Sequence, residues 1–275
     1  MSPKNKAPGH RARKRFGQNF LVDERLTGRI VRCIAPKQND NLVEIGPGKG
    51  AITGLLLEYC DTLNVVELDR DLIPLLLAQF ARYPNFKIHQ ADALSFDFAK
   101  LINGDKPLRI VGNLPYNIST PLIFHLLSYQ SQVADMHFML QKEVVLRLAA
   151  VPGDKNYGRL SIMAQYYCAV ENLFEVPPES FEPAPKVDSA IVRLTPHKHL
   201  PHPADNLGKL EILVKTAFSQ RRKTLRNSLK NLGLDEAQLS AMAGLTNLDL
   251  GKRAENLSLA DYVQLCNTLW PTNQD

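Results

Sequence analysis

The sequence predicts an α/β fold in which a mainly parallel, Rossmann-like sheet is followed by a small all-helical C-terminal domain. Between Asn41 and Gly112, short β-branched runs alternate with longer helical ones, which is typical of a parallel sheet. After a stretch rich in Pro and His at 196–203, the pattern becomes wholly helical. We therefore expect two domains, at residues 1–198 and 199–275.

The predicted elements alternate in chain order through the first domain. Strands are expected at 42–45, 63–67, 86–89, 108–111 and 136–140, and helices at 51–59, 72–82 and about 119–129. Ser119 or Thr120 is expected to cap the third helix, with Pro121 in its first turn. A further alternating run covers 187–195, and the C-terminal helices are expected near 207–218, 224–231, 235–243 and 258–269. Because ligands bind outside the carboxyl ends of parallel strands, the residues just after each strand are the candidates for a site.

The composition excludes several classes of protein. With 275 residues and 44% hydrophobic side chains the chain can bury a sizeable core, and a charged fraction of 22% without low-complexity tracts argues against disorder. No apolar run approaches the ~20 residues that span a bilayer, and the N-terminus lacks the apolar stretch of a secretory signal. We expect a soluble, cytoplasmic protein, although an Arg-rich transit peptide would also fit. The four cysteines lie far apart without a CxxC pair, so we expect neither a metal site nor a disulfide framework.

The net charge of +5 is unevenly distributed along the chain. Residues 1–37 carry a net charge of +8 and residues 198–230 carry +6, whereas 38–197 carry −5 and 231–275 carry −4. Concentrated positive charge is expected of a protein that binds a polyanion, because each phosphate contact releases counterions. A solvated basic tail and one basic helix face would produce the same pattern. Charge alone therefore leaves nucleic-acid binding open.

A glycine loop follows the first predicted strand, in Val43-Glu44-Ile45-Gly46-Pro47-Gly48-Lys49-Gly50. Glycines permit positive φ and let a ligand lie against bare backbone. Glu67 ends the next strand, 19 residues after Gly48, where a carboxylate can accept both hydroxyls of a ribose. The loop reads GxGxG rather than GxGxxG, and Pro47 lacks the amide hydrogen that a pyrophosphate needs. S-adenosylmethionine therefore suits the loop better than a dinucleotide, and an ordinary glycine turn beside a surface Glu is the alternative.

Asp92 follows the third predicted strand at the same edge of the sheet. Its carboxylate is placed to accept a hydrogen bond from the exocyclic amine of an adenine. An isolated Asp after a strand is more often a helix cap, and only the neighbouring Glu67 favours a role in ligand binding.

The fourth strand leads into Gly112-Asn113-Leu114-Pro115-Tyr116-Asn117, which matches a specific reaction. The exocyclic nitrogen of adenine is a poor nucleophile because its lone pair is delocalised into the ring. Acceptors at the Asn113 side-chain oxygen and the Leu114 carbonyl would draw that nitrogen towards sp³ geometry and stabilise the developing charge. Pro115 makes the carbonyl rigid, and Tyr116 offers a face for base stacking. The alternative is a Pro-stiffened turn with a core Tyr, which leaves Asn113 unexplained.

The chain resembles the ribosomal RNA adenine dimethyltransferase family, and in particular its small-subunit type. Four stretches carry the resemblance, at 14–21, 44–50, 113–121 and 181–189. It implies a Rossmann-like class I methyltransferase sheet with a helical RNA-contacting domain. It also implies S-adenosylmethionine as the cofactor, with contacts at Asn19, Leu21, Gly46, Glu67, Asp92 and Asn113.

The resemblance also implies roles in binding the target base and the RNA. Asn113, Leu114, Pro115 and Tyr116 correspond to the acceptors and the stacking ring, and Phe181 to a second aromatic wall, although a lone Phe is more often in the core. Basic side chains at helical spacing in 218–226 are expected to contact the RNA backbone, unless they form a solvated helix face. The RNA-binding candidates are Lys14, Arg15, Arg221, Arg222, Lys223 and Arg226.

Together with the Asn113 motif, the resemblance implies an enzyme that transfers methyl groups from S-adenosylmethionine to N6 of two adjacent adenines near the 3′ end of 16S rRNA. The expected partners are that RNA and the immature 30S subunit, with no membrane contact and the enzyme acting as a monomer. Three alternatives remain at this point: a large-subunit rRNA adenine methylase, a non-catalytic RNA-binding assembly factor and, least favoured, a dinucleotide-dependent oxidoreductase.

Overall fold

A computed structural model describes residues 18–102, 104–220 and 222–271 of the chain. It divides into two compact units. The first comprises the described residues of 1–145 and 171–196, and the second those of 146–170 and 197–275.

The first unit is built on a sheet of seven strands. The central strands are buried because helices cover them, which explains their continuous apolar runs. In chain order the elements from Phe20 to Pro196 are β1 (Phe20–Leu21), α1 (Glu24–Ile34), β2 (Asn41–Ile45), α2 (Thr53–Leu57), β3 (Leu63–Glu67), α3 (Ile73–Gln79), β4 (Phe86–Gln90), β5 (Leu108–Asn113), α4 (Ser119–Leu127), β6 (Val133–Gln141), α5 (Lys142–Ala149), α6 (Arg159–Tyr167), β7 (Cys168–Val176), β8 (Phe181–Glu182) and β9 (Ser189–Pro196).

The strand order β4-β3-β2-β5-β6-β9-β7 confirms the predicted Rossmann-like sheet. β2 runs parallel to β3 and β5, β3 to β4, and β5 to β6, whereas β9 is antiparallel to β6. β3 lies beside β2 on one side, and β5, which comes later in the chain, lies beside β2 on the other side. This switch of direction opens a crevice between the carboxyl ends of β2 and β5, where Ile45 is paired with Gly112.

α1 is a helix that we did not predict. Asp23 caps it, because the carboxylate accepts hydrogen bonds from the backbone of Arg25 and Leu26. Its buried face, including Ile30 and Ile34, belongs to the same core as the sheet residues Leu42, Val111 and Met139. The acidic cap and apolar spacing are visible in the sequence, so this helix was predictable.

The predicted cap of α4 is wrong. Ile118 occupies the N-cap position without a side-chain hydrogen bond, and the helix begins at Ser119. The Ser119 hydroxyl instead donates to the carbonyl of Tyr116 at 3.2 Å. The hydroxyl that we expected to cap the helix is therefore hydrogen-bonded to the turn that precedes it.

The second unit contains the end of α5, α6 and the C-terminal helices. The last of these helices contacts α6 and two of the others, and its Tyr262 side chain is fully buried. The Tyr262 hydroxyl donates to the carbonyl of Ala254 at 2.8 Å. The predicted division at residue 198 lies close to the boundary after Pro196. The prediction placed residues 146–170 in the first domain, whereas in the structure they belong to the second unit, because α6 packs against the C-terminal helices. Those helices are α7 (Leu207–Ala217), α8 (Leu225–Leu229), α9 (Glu236–Thr246) and α10 (Leu259–Leu269).

In the described part of the chain, no helix combines the length and the apolar character needed to cross a membrane. The four cysteines are free thiols, and three of them are buried.

Candidate active site

A cavity of about 350 Å³ opens at the carboxyl ends of the parallel strands, in the crevice between β2 and β5. This volume lies within the range of small-molecule sites. Its walls bring together nine of the predicted site residues: Asn19, Leu21, Gly46, Glu67, Asp92, Asn113, Leu114, Pro115 and Tyr116.

The glycine loop forms one wall of the cavity with bare backbone. Gly46 and Gly48 have φ values of +65° and +59°, in the region that side chains disfavour. A Cβ atom at Gly48 would lie 3.0 Å from the Phe20 ring, so the loop and the N-terminal segment approach closely because residue 48 has no side chain. The Lys49 ammonium lies 4.7 Å from the centre of the same ring.

Glu67 presents a buried carboxylate to the cavity, with only 6% of the residue exposed. Its Oε1 accepts a hydrogen bond from the backbone N–H of Asp69 at 2.7 Å. Burial raises the pKa of Glu67, while hydrogen bonds from the backbone of Asp69 and Gly48 oppose that increase. The carboxylate is therefore held in a fixed orientation, as a ribose acceptor requires.

Asp92 lines the cavity and also stabilises a local turn. Its Oδ1 accepts from the backbone N–H of Leu94 at 2.9 Å, and its carbonyl accepts from that of Ser95 at 3.0 Å. The turn does not continue into a helix, so the helix-cap interpretation is wrong, whereas the position of Asp92 in the cavity wall is compatible with ligand binding.

The Asn113 side chain is oriented by a residue 94 positions earlier in the chain. Its Nδ2 donates to the backbone carbonyl of Asn19 at 3.0 Å, which leaves Oδ1 as the acceptor end of the amide. Leu114 is 1% exposed, and its N–H donates to the Met139 carbonyl at 3.2 Å. The two acceptors that we predicted, Asn113 Oδ1 and the Leu114 carbonyl, therefore lie on anchored residues.

Tyr116 is held at its far end, where its hydroxyl lies 2.6 Å from Ser189 Oγ. Burial raises the pKa of Tyr116, so the phenol is neutral at physiological pH. A neutral ring in a fixed position is suited to stacking on a base.

Phe181 is not brought to the cavity by this structure. It is 4% exposed, belongs to the core of the first unit and pairs with Leu21 where β8 meets β1. Phe181 is therefore a core residue, which is the alternative that we gave for a lone Phe.

Glu44 is a site residue that we did not single out. It lines the cavity, is 2% exposed and accepts a hydrogen bond from Thr53 Oγ1 at 2.7 Å on Oε2. Burial raises its pKa to about 8, and the nearby charge of Glu67 adds to the increase. An acidic residue inside the apolar strand 42–45 was the signal that marks it.

The predicted RNA-binding residues have different surroundings. Lys14, Arg15 and Arg221 lie outside the described residues. Arg222 and Lys223 are exposed in the turn between α7 and α8, so the helical spacing that we expected across 218–226 is wrong there. Arg226 lies on α8, but it forms an ion pair with Glu236 and donates to Ser240 Oγ at 3.3 Å.

Comparisons with known proteins show the family to which the chain is related. The family model described as ribosomal RNA adenine dimethylase matches residues 9–270. The ribosomal RNA small subunit methyltransferase A of Saccharophagus degradans is 68% identical over 273 residues, which cover 98% of this chain and 100% of that protein.

Two solved structures are similar over most of the chain. A dimethyladenosine transferase from Plasmodium falciparum has a TM-score of 0.74 at 27% identity, covering 90% of this chain and 95% of that one. The 23S rRNA methyltransferase ErmE has a TM-score of 0.72 at 23% identity, covering 91% and 99%, and shows the shared fold. With the segment from Asn113 to Tyr116 in the crevice and the family model matched over nearly its whole length, this chain belongs to the ribosomal RNA adenine dimethylase family.

Proposed function

We propose that the protein transfers methyl groups from S-adenosylmethionine to N6 of two adjacent adenines near the 3′ end of 16S rRNA, giving N6,N6-dimethyladenosine. The observation that carries the proposal is the meeting of two sets of residues in one cavity. Glu67 and the glycine loop are suited to a nucleoside, and Asn113 to Tyr116 are suited to an adenine amine.

The residues fit a sulfonium nucleoside better than a nucleotide. Glu44 and Glu67 place two buried carboxyl groups in the cavity, and Pro47 has no N–H to donate to a phosphate. Asn19, Leu21, Gly46, Glu67 and Asp92 would hold the cofactor. When bound, S-adenosylmethionine supplies an electrophilic methyl group.

The side chains around Asn113 activate the acceptor. Asn113 Oδ1 and the Leu114 carbonyl accept the two amino hydrogens, which favours a pyramidal nitrogen and stabilises its developing positive charge. Pro115 restricts Leu114 to an extended conformation, so that its carbonyl is preorganised. Tyr116 stacks on the base, and holding the reactants in line contributes through effective molarity. No strong base is needed at this site.

The replacement Asn113→Ala tests this mechanism. Methyl transfer should fall by roughly 100-fold or more, because one of two acceptors is removed, whereas the cofactor Kd should rise only a few-fold. Asn156→Ala, at a residue of the second unit that does not line the cavity, is the control. Unchanged transfer by Asn113→Ala would exclude the acceptor mechanism.

We propose the immature 30S subunit as the partner, with the enzyme acting in the cytoplasm as a monomer. Radiolabelled methyl groups should appear in 16S rRNA when immature 30S subunits are offered, and not in 50S subunits. Labelling of the large subunit would favour the related activity on 23S rRNA. If no cofactor binding were seen by calorimetry, the protein would be a non-catalytic assembly factor.

A further inference from the structure

A second concave site lies at the opposite edge of the sheet, at the amino ends of β2, β3 and β4. We call it the amino-end groove, defined by Asn41, Asn64 and His89 on its floor and Lys87, Lys100 and Lys106 on its rim. Its volume is about 580 Å³, and it shares no described lining residue with the active-site cavity. Strands of five residues separate the two sites by about 17 Å.

The floor of the groove consists of buried amides. Asn41 and Asn64 are each 7% exposed. Asn41 Nδ2 donates to the Leu101 carbonyl at 2.9 Å, which holds the wall of the groove. His89 Nε2 lies 3.0 Å from Asn64 Oδ1, and because that oxygen only accepts, the ring nitrogen is the donor. Burial and the neighbouring Lys87 lower the pKa of His89. Because the Asn64 oxygen already accepts from the ring, the amide nitrogen is the group with which Asn64 can donate a hydrogen bond to a ligand.

The rim of the groove is positively charged. Lys87, Lys100 and Lys106 are exposed, and none of them forms an ion pair with another residue in the described ranges. Two carboxylates also line the groove, but that of Asp40 is paired with Arg109. Asp61 is then the one acidic group of the described lining that is not paired with Arg109, and the same lining contains three ammonium groups. The net positive charge of the groove favours an anion.

We propose that the amino-end groove binds backbone phosphates of the RNA substrate, as a contact remote from the target adenine. The inference rests on the proposed function, which supplies the RNA. Lysines bind phosphates as point charges and read no sequence, which is appropriate for a contact that sets the position of a folded RNA. The described lining contains no Phe, Tyr or Trp, and its one aromatic ring, that of His89, is hydrogen-bonded to Asn64 on the floor, which favours the RNA backbone over a free nucleotide.

The triple variant K87Q/K100Q/K106Q tests the proposal, with RNA affinity measured over a range of salt concentrations. We expect the Kd for small-subunit RNA to rise roughly 10- to 100-fold near 0.1 M salt, and the salt dependence to weaken by about two phosphate contacts. The control R25Q/R32Q/R82Q removes the same charge from exposed positions of the same unit outside the groove. It should change the Kd by less than about 3-fold and leave the slope of the salt dependence nearly that of the unmodified enzyme.

Equal effects of the two triple variants on the Kd would overturn the proposal, as would unchanged affinity in K87Q/K100Q/K106Q. Cofactor Kd and methyl transfer at saturating RNA report on the proposed function separately, and we expect both to be unchanged in the groove variant. If the unmodified enzyme transferred no methyl group, the proposed function itself would fail. Saturable micromolar binding of adenosine monophosphate that disappears in the groove variant would assign the groove to a free nucleotide and overturn the RNA contact.

A single substitution on the floor provides a second test that leaves the lysines in place. Asn64→Asp replaces an amide donor by a carboxylate, so the RNA Kd should rise by at least as much as for removal of one lysine. Asn64→Ser keeps a small polar group without the charge and should have a smaller effect. Equal RNA Kd values for the unmodified enzyme and Asn64→Asp would contradict a phosphate at this position.

Discussion

Glu44 and Glu67 place two carboxyl groups in one cavity, and they differ in what surrounds them. Glu67 accepts from backbone N–H groups, whereas Glu44 accepts a hydrogen bond from Thr53 and is more deeply buried. Burial raises the pKa of Glu44 to about 8, so this group is mostly protonated at pH 7. At pH 7 the site therefore carries less negative charge than two ionised carboxyl groups would, and Glu44 can donate a hydrogen bond as well as accept one.

Replacing Glu67 by Gln should weaken cofactor binding. A hydrogen bond to a charged group is worth about 1.5–3 kcal/mol, so the cofactor Kd should rise roughly 10- to 100-fold by calorimetry. At saturating cofactor the rate of methyl transfer should be within a few-fold of that of the unmodified enzyme, because Glu67 does not contact the target base in the proposed arrangement. Glu58→Gln, on the exposed end of α2, is the control, and an unchanged Kd for Glu67→Gln would remove the residue from the site.

Replacing Glu44 by Gln should change how stability depends on pH. Below an ordinary carboxyl pKa of 4.5 the group is protonated in both the folded and unfolded chains. Between 4.5 and about 8 only the folded chain retains the proton, so the free energy of unfolding falls by up to about 1.4 kcal/mol per pH unit, and above that range it levels off.

The amide introduced by Glu44→Gln does not titrate, so this contribution to the pH dependence disappears in the variant. The unfolding midpoint of Glu44→Gln relative to the unmodified protein should therefore rise between pH 5 and pH 8, as measured by thermal unfolding at each pH. A constant difference across that range would show that Glu44 is ionised in the folded protein.

At the scale of elements, the segment Gln18–Leu21 connects the two halves of the cavity. Gln18 Nε2 donates to Asp69 Oδ2 at 3.0 Å, and Asp69 in turn donates its N–H to Glu67. The Asn19 carbonyl holds the Asn113 amide, and the Phe20 ring packs on Gly48. One short segment thus contacts both the glycine loop and the Asn113 motif, and the pairing of β1 with β8 holds its far end.

The pairing of β5 with β2 depends on a glycine. A Cβ atom at Gly112 would lie 2.6 Å from the carbonyl oxygen of Ile45, and that oxygen is backbone within a buried sheet and has little freedom to move. Gly112→Ala should lower the free energy of unfolding by about 3 kcal/mol, measured by chemical denaturation. Gly244→Ala, with open space on an exposed turn of α9, should instead stabilise by about 0.5–1 kcal/mol, and similar values for both would contradict this packing.

For the whole molecule, positive charge is concentrated in two regions of an otherwise acidic chain. Part of that charge is internally compensated, since Glu236 pairs with both Arg226 and Lys230. Arg222 and Lys223 remain exposed on the turn before α8. We therefore expect only some of the residues that contribute to net charge to contribute to RNA affinity.

The variant R222Q/K223Q should raise the RNA Kd by roughly 5- to 50-fold and reduce the salt dependence by up to two phosphate contacts. Arg226→Gln should leave the RNA Kd within about 2-fold and lower the stability only slightly, because the ion pair that it breaks is exposed to solvent. Both Kd values are measured by RNA titration at several salt concentrations. A larger decrease of RNA affinity in Arg226→Gln than in R222Q/K223Q would restore Arg226 as a direct contact.

Local patterns in the sequence were sufficient for the parallel strands, the glycine loop and the Asn113 motif. Periodicity and turn residues are local features that extend over a few positions. Parallel strands place their carboxyl ends at one edge of the sheet irrespective of the contacts made by the rest of the chain. Contacts between distant residues were not accessible in this way. The bond from Asn113 to Asn19, the burial of Phe181, the grouping of 146–170 with the C-terminal helices and the pairing of Arg226 with Glu236 all depend on packing between segments that no local pattern specifies. The amino-end groove was hidden for the same reason, because its three lysines come from β4 and the segment after it, and only folding places them around Asn41 and Asn64.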